Sequence, residues 1–239
     1  MANSYFQFKQ FLIRQDRCAM KVCTDACIQG AYTAAILREL LPQGARVLDL
    51  GTGTGLLSLM LAQHTAAEID AVELDSRACS QARENVQTSP WASRIRVLEG
   101  DLRTLALQGP YHGIVSNPPF YETSLKSPDP GINQARHSSR LSHEELLLRI
   151  ATELAIDGLA SVLLPADQRH GFEQKAMRQG LYLRGVLTLR QSNWHAPFRV
   201  ILLLGTRSGP VREESMNILV DGTYSSSCVE LLRPYYLNL

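Results

Sequence analysis

Asp49-Leu-Gly-Thr-Gly-Thr-Gly55 places three glycines within five residues, directly after the compact apolar run Arg46 to Leu50. Such glycines let a backbone come close to a ligand, and in an open α/β sheet the ligand crevice lies at the carboxyl ends of the strands. A P-loop would continue with Lys and then Ser or Thr, but Leu56-Leu57 follow here, so a nucleoside triphosphate is disfavoured. The spacing is also G-x-G-x-G rather than the G-x-G-x-x-G of dinucleotide sites. Two acids follow at matching places. Glu73 closes a second β-rich run, where a carboxylate can accept hydrogen bonds from both ribose hydroxyls of an adenosine-containing cofactor. Asp101 ends a third run after Gly100, with Leu102 beside it, and can accept from an adenine amino group. The candidate cofactor set is Asp49, Gly51, Thr52, Gly53, Gly55, Glu73, Asp101, Leu102 and Asn117.

These residues need strand ends to hold them, and the chain from Gly44 to Arg207 supplies strands alternating with helices. The spacing predicts strands at 46–51, 68–75, 95–99, 113–117 and 159–164, with helices at 56–64, 76–88 and 167–179. Ser76 is the expected N-cap of the second of these helices. Ser142-His-Glu-Glu145 has capping-box spacing, and the helix it opens carries Leu146, Leu147, Ile150 and Leu154 on one side. Alternation of this kind implies a doubly wound, mostly parallel α/β sheet with helices on both faces. Strands at 181–190 and 199–205 are joined only by Gln191 to Pro197, too short for a crossover, so they form an antiparallel hairpin at one end of the sheet. After Met216 one further short strand, 218–220, and an amphipathic helix are expected.

With the glycine loop and both acids in order, the chain resembles the class I S-adenosylmethionine-dependent methyltransferases. That resemblance implies a Rossmann-like, seven-stranded sheet whose last strand runs antiparallel. A sulfonium and an ammonium on the cofactor also match the acidic centre, Asp49 to Asp101, where eight acids face four arginines. Ser116-Asn-Pro-Pro-Phe-Tyr121 then points to the methyl acceptor. Pro118 and Pro119 have no N–H and hold φ near about −65°, so the carbonyls before them are rigidly presented. An exocyclic amino group conjugated to a ring needs acceptors that draw its protons and expose a lone pair, and the Asn117 side-chain oxygen and Pro118 carbonyl supply two. Phe120, or Tyr121, can stack on the base. The motif is similar to the N-P-P-[FY] of methyltransferases acting on amino nitrogen in adenine, guanine, cytosine or glutamine, which makes Asn117, Pro118, Pro119 and Phe120 the catalytic set. Positioning and electrostatics carry such a reaction with no metal.

The segment Phe6-Gln-Phe-Lys-Gln-Phe11, Gln15 to Asp25 and Gly30-Ala31 resembles one family within that class. These are the bacterial tRNA adenine-N6 methyltransferases that modify the adenosine 3′ of the anticodon, position 37, in a valine tRNA. Ala135-Arg-His-Ser138, Leu141, Tyr224-Ser225, Leu231-Leu232 and Tyr235-Tyr-Leu237 are similar to later blocks of that family. Residues 1–40 then form an N-terminal extension capping the cofactor side, and 41–239 a single methyltransferase domain. Phe6, Phe8 and Phe11 anchor the extension, while Lys21, Thr24 and Asp25 close over the methionine end of the cofactor. Cys23 and Cys27 depart from the small residues, often glycine, expected there. Tyr121, Arg136 and Arg199 are candidate substrate contacts, and Trp194-His195 share the late hairpin loop with Arg199, open to RNA contact or to plain solvation.

The 239 residues have ordinary globular composition and a formal net charge of +1, which averages an acidic centre and basic flanks. Gln168 to Arg212 carries eight bases against Glu173 alone, and arginine outnumbers lysine twenty to four, which suits phosphate contacts. Five scattered cysteines match neither a disulfide framework nor a zinc pattern. No apolar run reaches the ~18 residues of a membrane span, and Met1 to Gln10 has no signal-peptide core, so a cytoplasmic monomer acting on tRNA is expected. Two enzymatic alternatives remain: a release-factor-type protein glutamine N5-methyltransferase, and another RNA amino-methyltransferase acting on rRNA adenine N6 or guanine N2. A non-catalytic RNA-binding relative is a third.

Overall fold

The computed structural model describes residues 3–18, 20–119 and 141–239. A hairpin, β1 (Tyr5–Gln7) and β2 (Leu12–Arg14), leads into α1 (Thr24–Leu40). Then β3 (Arg46–Leu50), α2 (Leu56–His64), β4 (Glu68–Glu73), α3 (Ser76–Gln87), β5 (Ile95–Glu99) and β6 (Tyr111–Ser116) follow. Beyond the cleft come α4 (His143–Glu153), β7 (Leu154–Pro165), α5 (Arg169–Arg178), β8 (Tyr182–Arg190) and β9 (Pro197–Gly205). The chain ends with β10 (Arg212–Asn217), a small hairpin of β11 (Leu219–Val220) and β12 (Thr223–Tyr224), and α6 (Ser226–Leu232).

The central sheet has the order β10-β8-β9-β7-β6-β3-β4-β5, and β9 alone runs against its two neighbours. The doubly wound, mostly parallel sheet and the β8–β9 hairpin therefore stand. The strand count is eight where seven were expected. The added strand, Arg212–Asn217, pairs in parallel with β8 from Gly185 to Arg190. Its sequence, REESMN, has no apolar run to announce it; charged residues suit a sheet edge that must not recruit another strand. Two smaller expectations also change. Asp75, not Ser76, caps α3, its carboxylate accepting from Arg77 and Ala78 N–H. The strand placed at 218–220 is the two-residue β11, turned back by Asp221 and Gly222, both at positive φ.

Strand residues alternate between two apolar layers, as a period of two requires. Val47, Val115, Leu163, Leu187 and Ile201 face α1 and α2. Leu48, Ile114, Val162, Val186 and Leu202 face α4 and α5. The capping box at Ser142 and Glu145 opens α4, and its Leu146, Leu147 and Ile150 are fully buried. A polar seam runs between α1 and the sheet. Gln29 Nε2 donates to the carbonyls of Ser116 and Ser161, and the Thr33 and Ser161 hydroxyls are 2.7 Å apart.

The N-terminal segment and the C-terminus close the α1–α2 face together. Phe8 and Phe11 stack with ring centroids 4.4 Å apart, Phe8 meets Tyr236, and Lys9 N–H donates to the Tyr235 carbonyl. Phe8 is wholly buried, so its loss removes both burial and the closure of the two chain ends. Phe8→Ala is expected to destabilise the fold by about 3–5 kcal/mol, read as a fall in denaturation midpoint by urea titration. A loss below about 1 kcal/mol would show that the segment is an appendage.

Candidate active site

The sheet turns back on itself at β3. The chain runs outward through β4 and β5 and then returns to place β6 on the other side of β3. Loops leaving neighbouring strands in opposite directions open a crevice at their carboxyl ends. A cleft of about 620 Å³ lies there, lined by Gly51, Gly53, Glu73, Asp101, Leu102, Asn117, Pro118 and Pro119 from the sequence-predicted set.

The glycine loop is shaped for close approach. Gly51 and Gly53 have φ of +75° and +57°, and a Cβ built on either meets no protein atom within 4 Å. Both side-chain positions face space that a ligand can use. The loop is tied down by its own amides: Gly51 and Thr52 N–H donate to the Val72 carbonyl. Asp49, Thr52 and Gly55 stand outside the cleft lining and support the loop from behind. The Thr52 and Ser58 hydroxyls both donate to Asp49 Oδ2, at 2.6 and 2.7 Å, while the buried Oδ1 has no partner.

Glu73 is held by backbone amides, Gly53 N–H to Oε2 at 2.8 Å and Leu74 and Asp75 N–H to Oε1 at 3.0 Å. An ionised carboxylate has about four lone-pair sites, so these three amides leave about one for a ribose hydroxyl. Asp101 is gripped by Arg103, whose backbone N–H and Nε donate to Oδ1 at 2.9 Å. These bonds hold its carboxyl below the usual range. At the opposite wall the Asn117 Oδ1 is buried and has no hydrogen-bond partner among the described residues. The backbone just before it is clamped, the Ser116 carbonyl by Gln29 and the Ser116 hydroxyl to the Leu50 carbonyl at 2.9 Å.

Other predicted residues fall elsewhere. Lys21, Thr24 and Asp25 do not line the cleft; the preceding turn, Asp16, Arg17, Cys18 and Met20, does. Asp25 is buried in an ion pair with Arg199, Nε to Oδ2 at 3.0 Å, so these two proposed contacts, one for cofactor and one for substrate, bind each other. Phe120, Tyr121 and Arg136 lie outside the described residues. Sequence reasoning missed the apolar lining Val72, Leu74, Ala78 and Leu141, and Arg103. Their proximity to Glu73, Asp101 and the strand ends was the available signal. Among the described residues, no group of His, Cys, Asp and Glu is arranged to hold a metal, and no helix is long and apolar enough to cross a membrane.

Residues 30–137 match the methyltransferase small domain family. Over its full length the chain is 39% identical to a tRNA1(Val) (adenine(37)-N6)-methyltransferase of Bacteroides fragilis, aligned over 100% of both chains. It is 40% identical to the enzyme of that name from Tolumonas auensis, over 100% of this chain and 99% of the relative. Among solved structures, a predicted O-methyltransferase from Agrobacterium tumefaciens superposes with TM-score 0.62 at 16% identity, over 90% of this chain and 100% of that one. A glycopeptide N-methyltransferase complexed with S-adenosyl-L-methionine superposes with TM-score 0.54 at 14% identity, over 75% of this chain and 94% of that one. At these identities the structures establish a shared fold.

Burial pushes the Asp49 carboxyl up to about 6, against the pull of the Thr52 and Ser58 hydroxyls. An unfolded aspartate titrates near ~3.9, so between about pH 4 and 6 the folded state holds a proton that the unfolded state has lost. Stability from this group is therefore full below about pH 4 and is lost as pH rises through 6. Asp49→Asn has the same shape and no titration. Urea unfolding at pH 4 and pH 6.5 should show the wild type losing about 2 kcal/mol more than the variant over that window. An equal change in both would mean that Asp49 titrates normally.

Proposed function

The chain belongs to the tRNA1(Val) (adenine(37)-N6)-methyltransferase family, and from that premise we propose how its cleft carries out S-adenosylmethionine-dependent methylation of the N6 amino group of adenosine 37. Relatives matched end to end set aside the protein-glutamine and rRNA readings. Action on tRNA, with no helix among the described residues long and apolar enough to cross a membrane, supports a cytoplasmic location.

The residues present fit the cofactor. Gly51 and Gly53 leave a cradle that a Cβ would fill, Glu73 keeps an acceptor for a ribose hydroxyl, and Asp101 and Leu102 flank the place of the adenine. Bound there, S-adenosylmethionine supplies an electrophilic methyl group on a sulfonium. Among the described residues the cleft lining has no lysine, and its acids Asp16, Glu73, Asp75 and Asp101 are nearly balanced by Arg17, Arg77 and Arg103. From residues 1–40, Asp16, Arg17, Cys18 and Met20 line the cleft, which supports a capping role for the N-terminal extension.

The observation that carries the acceptor assignment is the orphaned Asn117 Oδ1 at the head of Pro118-Pro119. A buried acceptor with no partner loses the hydrogen bonds it had in water, and an incoming amino group restores one. Asn117 Oδ1 and the Pro118 carbonyl accept hydrogen bonds from the two N–H groups of adenine N6. The nitrogen is thereby turned so that its lone pair, rather than its protons, faces the methyl donor, and one of those protons leaves to solvent when the nitrogen gains a methyl group. The two prolines keep both acceptors in place before the substrate arrives, and this preorganisation is the source of rate. An adenosine in a folded tRNA must leave its stack to enter, and Phe120 is assigned to receive its ring face.

Asn117→Ala should lower kcat/KM for unmodified tRNA by about 10²–10³-fold while S-adenosylmethionine binding by calorimetry stays within about threefold of wild type. Gly51→Ala should do the reverse, weakening cofactor binding strongly with a stability loss of only about 1–2 kcal/mol from its left-handed backbone. Nucleoside mass spectrometry of the tRNA product should show N6-methyladenosine. Methyl incorporation into protein with none in RNA would sink the assignment.

A further inference from the structure

The tip of the β8–β9 hairpin takes no part in the cleft, yet it carries Trp194, the most exposed large apolar side chain among the described residues at 92%. The tip is a built turn. His195 N–H donates to the Ser192 carbonyl, the Ser192 hydroxyl lies 2.7 Å from His195 Nδ1, and Asn217 Nδ2 donates to Asn193 Oδ1. The indole itself has no ring or hydrogen-bond partner among the described residues. An ordered turn that holds an indole in water forgoes the burial that a Trp usually gains, which marks it as a contact for something else.

Strand direction says where that contact faces. β8 runs parallel to β6 and β3, so its end at Arg190 shares the sheet edge with Gly51 and Asn117. The register sets Ser116 level with Val162, Leu202 and Val186, so Arg190 lies four residues beyond that level, about 13 Å, and three strand spacings aside, about 14 Å at ~4.8 Å each. Five or six stacked nucleotides at ~3.4 Å per step cover the resulting ~20 Å. From Arg190 to Arg199 the chain holds two arginines and a histidine and no acid. Arg190 has no ion-pair partner among the described residues, whereas Arg199 is held by Asp25 at the base of the hairpin. A flat apolar face beside a cation fits an unpaired nucleobase and its phosphate better than it fits an apolar protein groove.

We propose that Trp194 is a stacking platform for an unpaired base of the tRNA loop, several nucleotides from the adenosine being methylated. The proposal rests on the tRNA assignment above. Trp194→Ala should raise KM for tRNA about 5- to 150-fold, the range that loss of one base–aromatic stack produces, with kcat within about threefold of wild type. Trp194→Phe, which keeps a ring, should recover most of the loss. A Trp91→Phe variant leaves Trp194 as the single indole, and its fluorescence should be quenched by unmodified tRNA but not by a fully paired RNA duplex. Unchanged KM in Trp194→Ala, or an indole signal indifferent to saturating tRNA, overturns the proposal and leaves the tip to a protein partner. Failure of the tRNA assignment itself reads differently, as a wild-type protein that transfers no methyl group to tRNA.

Discussion

The parallel pairing of β3 with β6 is the constraint on which the site depends. In its register Leu50 lies opposite Ser116, so Gly51 and Asn117 leave the sheet side by side, one strand spacing of ~4.8 Å apart. Methyl donor and acceptor are thus brought together by backbone hydrogen bonds, the least deformable bonds the fold has. A slip of one residue would exchange the faces of β6 and bury Ile114 where Val115 belongs. The Ser116 hydroxyl bonded to the Leu50 carbonyl and Gln29 bridging Ser116 and Ser161 add cross-ties where the ladder ends. The helices then divide, α2 to one face and α4 to the other, and the crevice between their entry loops is a consequence of this winding.

Charge in the folded protein is distributed differently from charge along the chain. The basic run from Gln168 to Arg212 meets acids brought from elsewhere: Arg169 pairs with Glu213, Lys175 with Glu144, Arg199 with Asp25, Arg207 with Asp157, and Arg212 with Glu214. The excess counted in sequence is therefore mostly internal to the fold. Within that run, Arg178, Arg184 and Arg190 are without an ion pair among the described residues, and only Arg190 stands at the edge that carries the cleft. Attraction for a polyanion near the site is correspondingly local. The acidic centre changes in the same way, since Asp70 is consumed by Arg46, Arg96 and Tyr111, and Asp101 by Arg103.

Most of the architecture was legible because strand and helix periods differ and because glycines, prolines and caps punctuate them. The helix at Leu56–His64 and the strand at Ile95–Glu99 coincide with their expected bounds. The eighth strand was hidden because an edge strand needs no apolar alternation. The capping residue of α3 was displaced by one position, since Asp and Ser are equally good caps and only the chain's path selects between them. In the site, residues at strand ends were readable, since topology delivers strand ends to one edge. Asp25 and Arg199 were not readable as a pair because 174 residues separate them, and no local pattern encodes such a contact. Asp49 was legible as a position but not in its role, because a strand-end acid points either into the crevice or behind the loop according to pleat parity.

Asp49 also explains why the acceptor across the cleft is an amide. Both residues stand at the ends of adjacent strands with a buried oxygen that has no partner. The carboxyl at position 49, even with two hydroxyl donors, is pushed up to about 6 by burial. A carboxyl at position 117 has no such donors among the described residues and would be driven further toward its protonated form, which turns an acceptor into a donor. The Asn117 carbonyl does not titrate, and its neutral dipole is cheaper to leave dry than a charge. Its own NH2 cannot take the place of the substrate's amino group at the same oxygen. An uncharged acceptor held by two prolines is then available at every physiological pH, and the site's proton inventory is left to the substrate nitrogen.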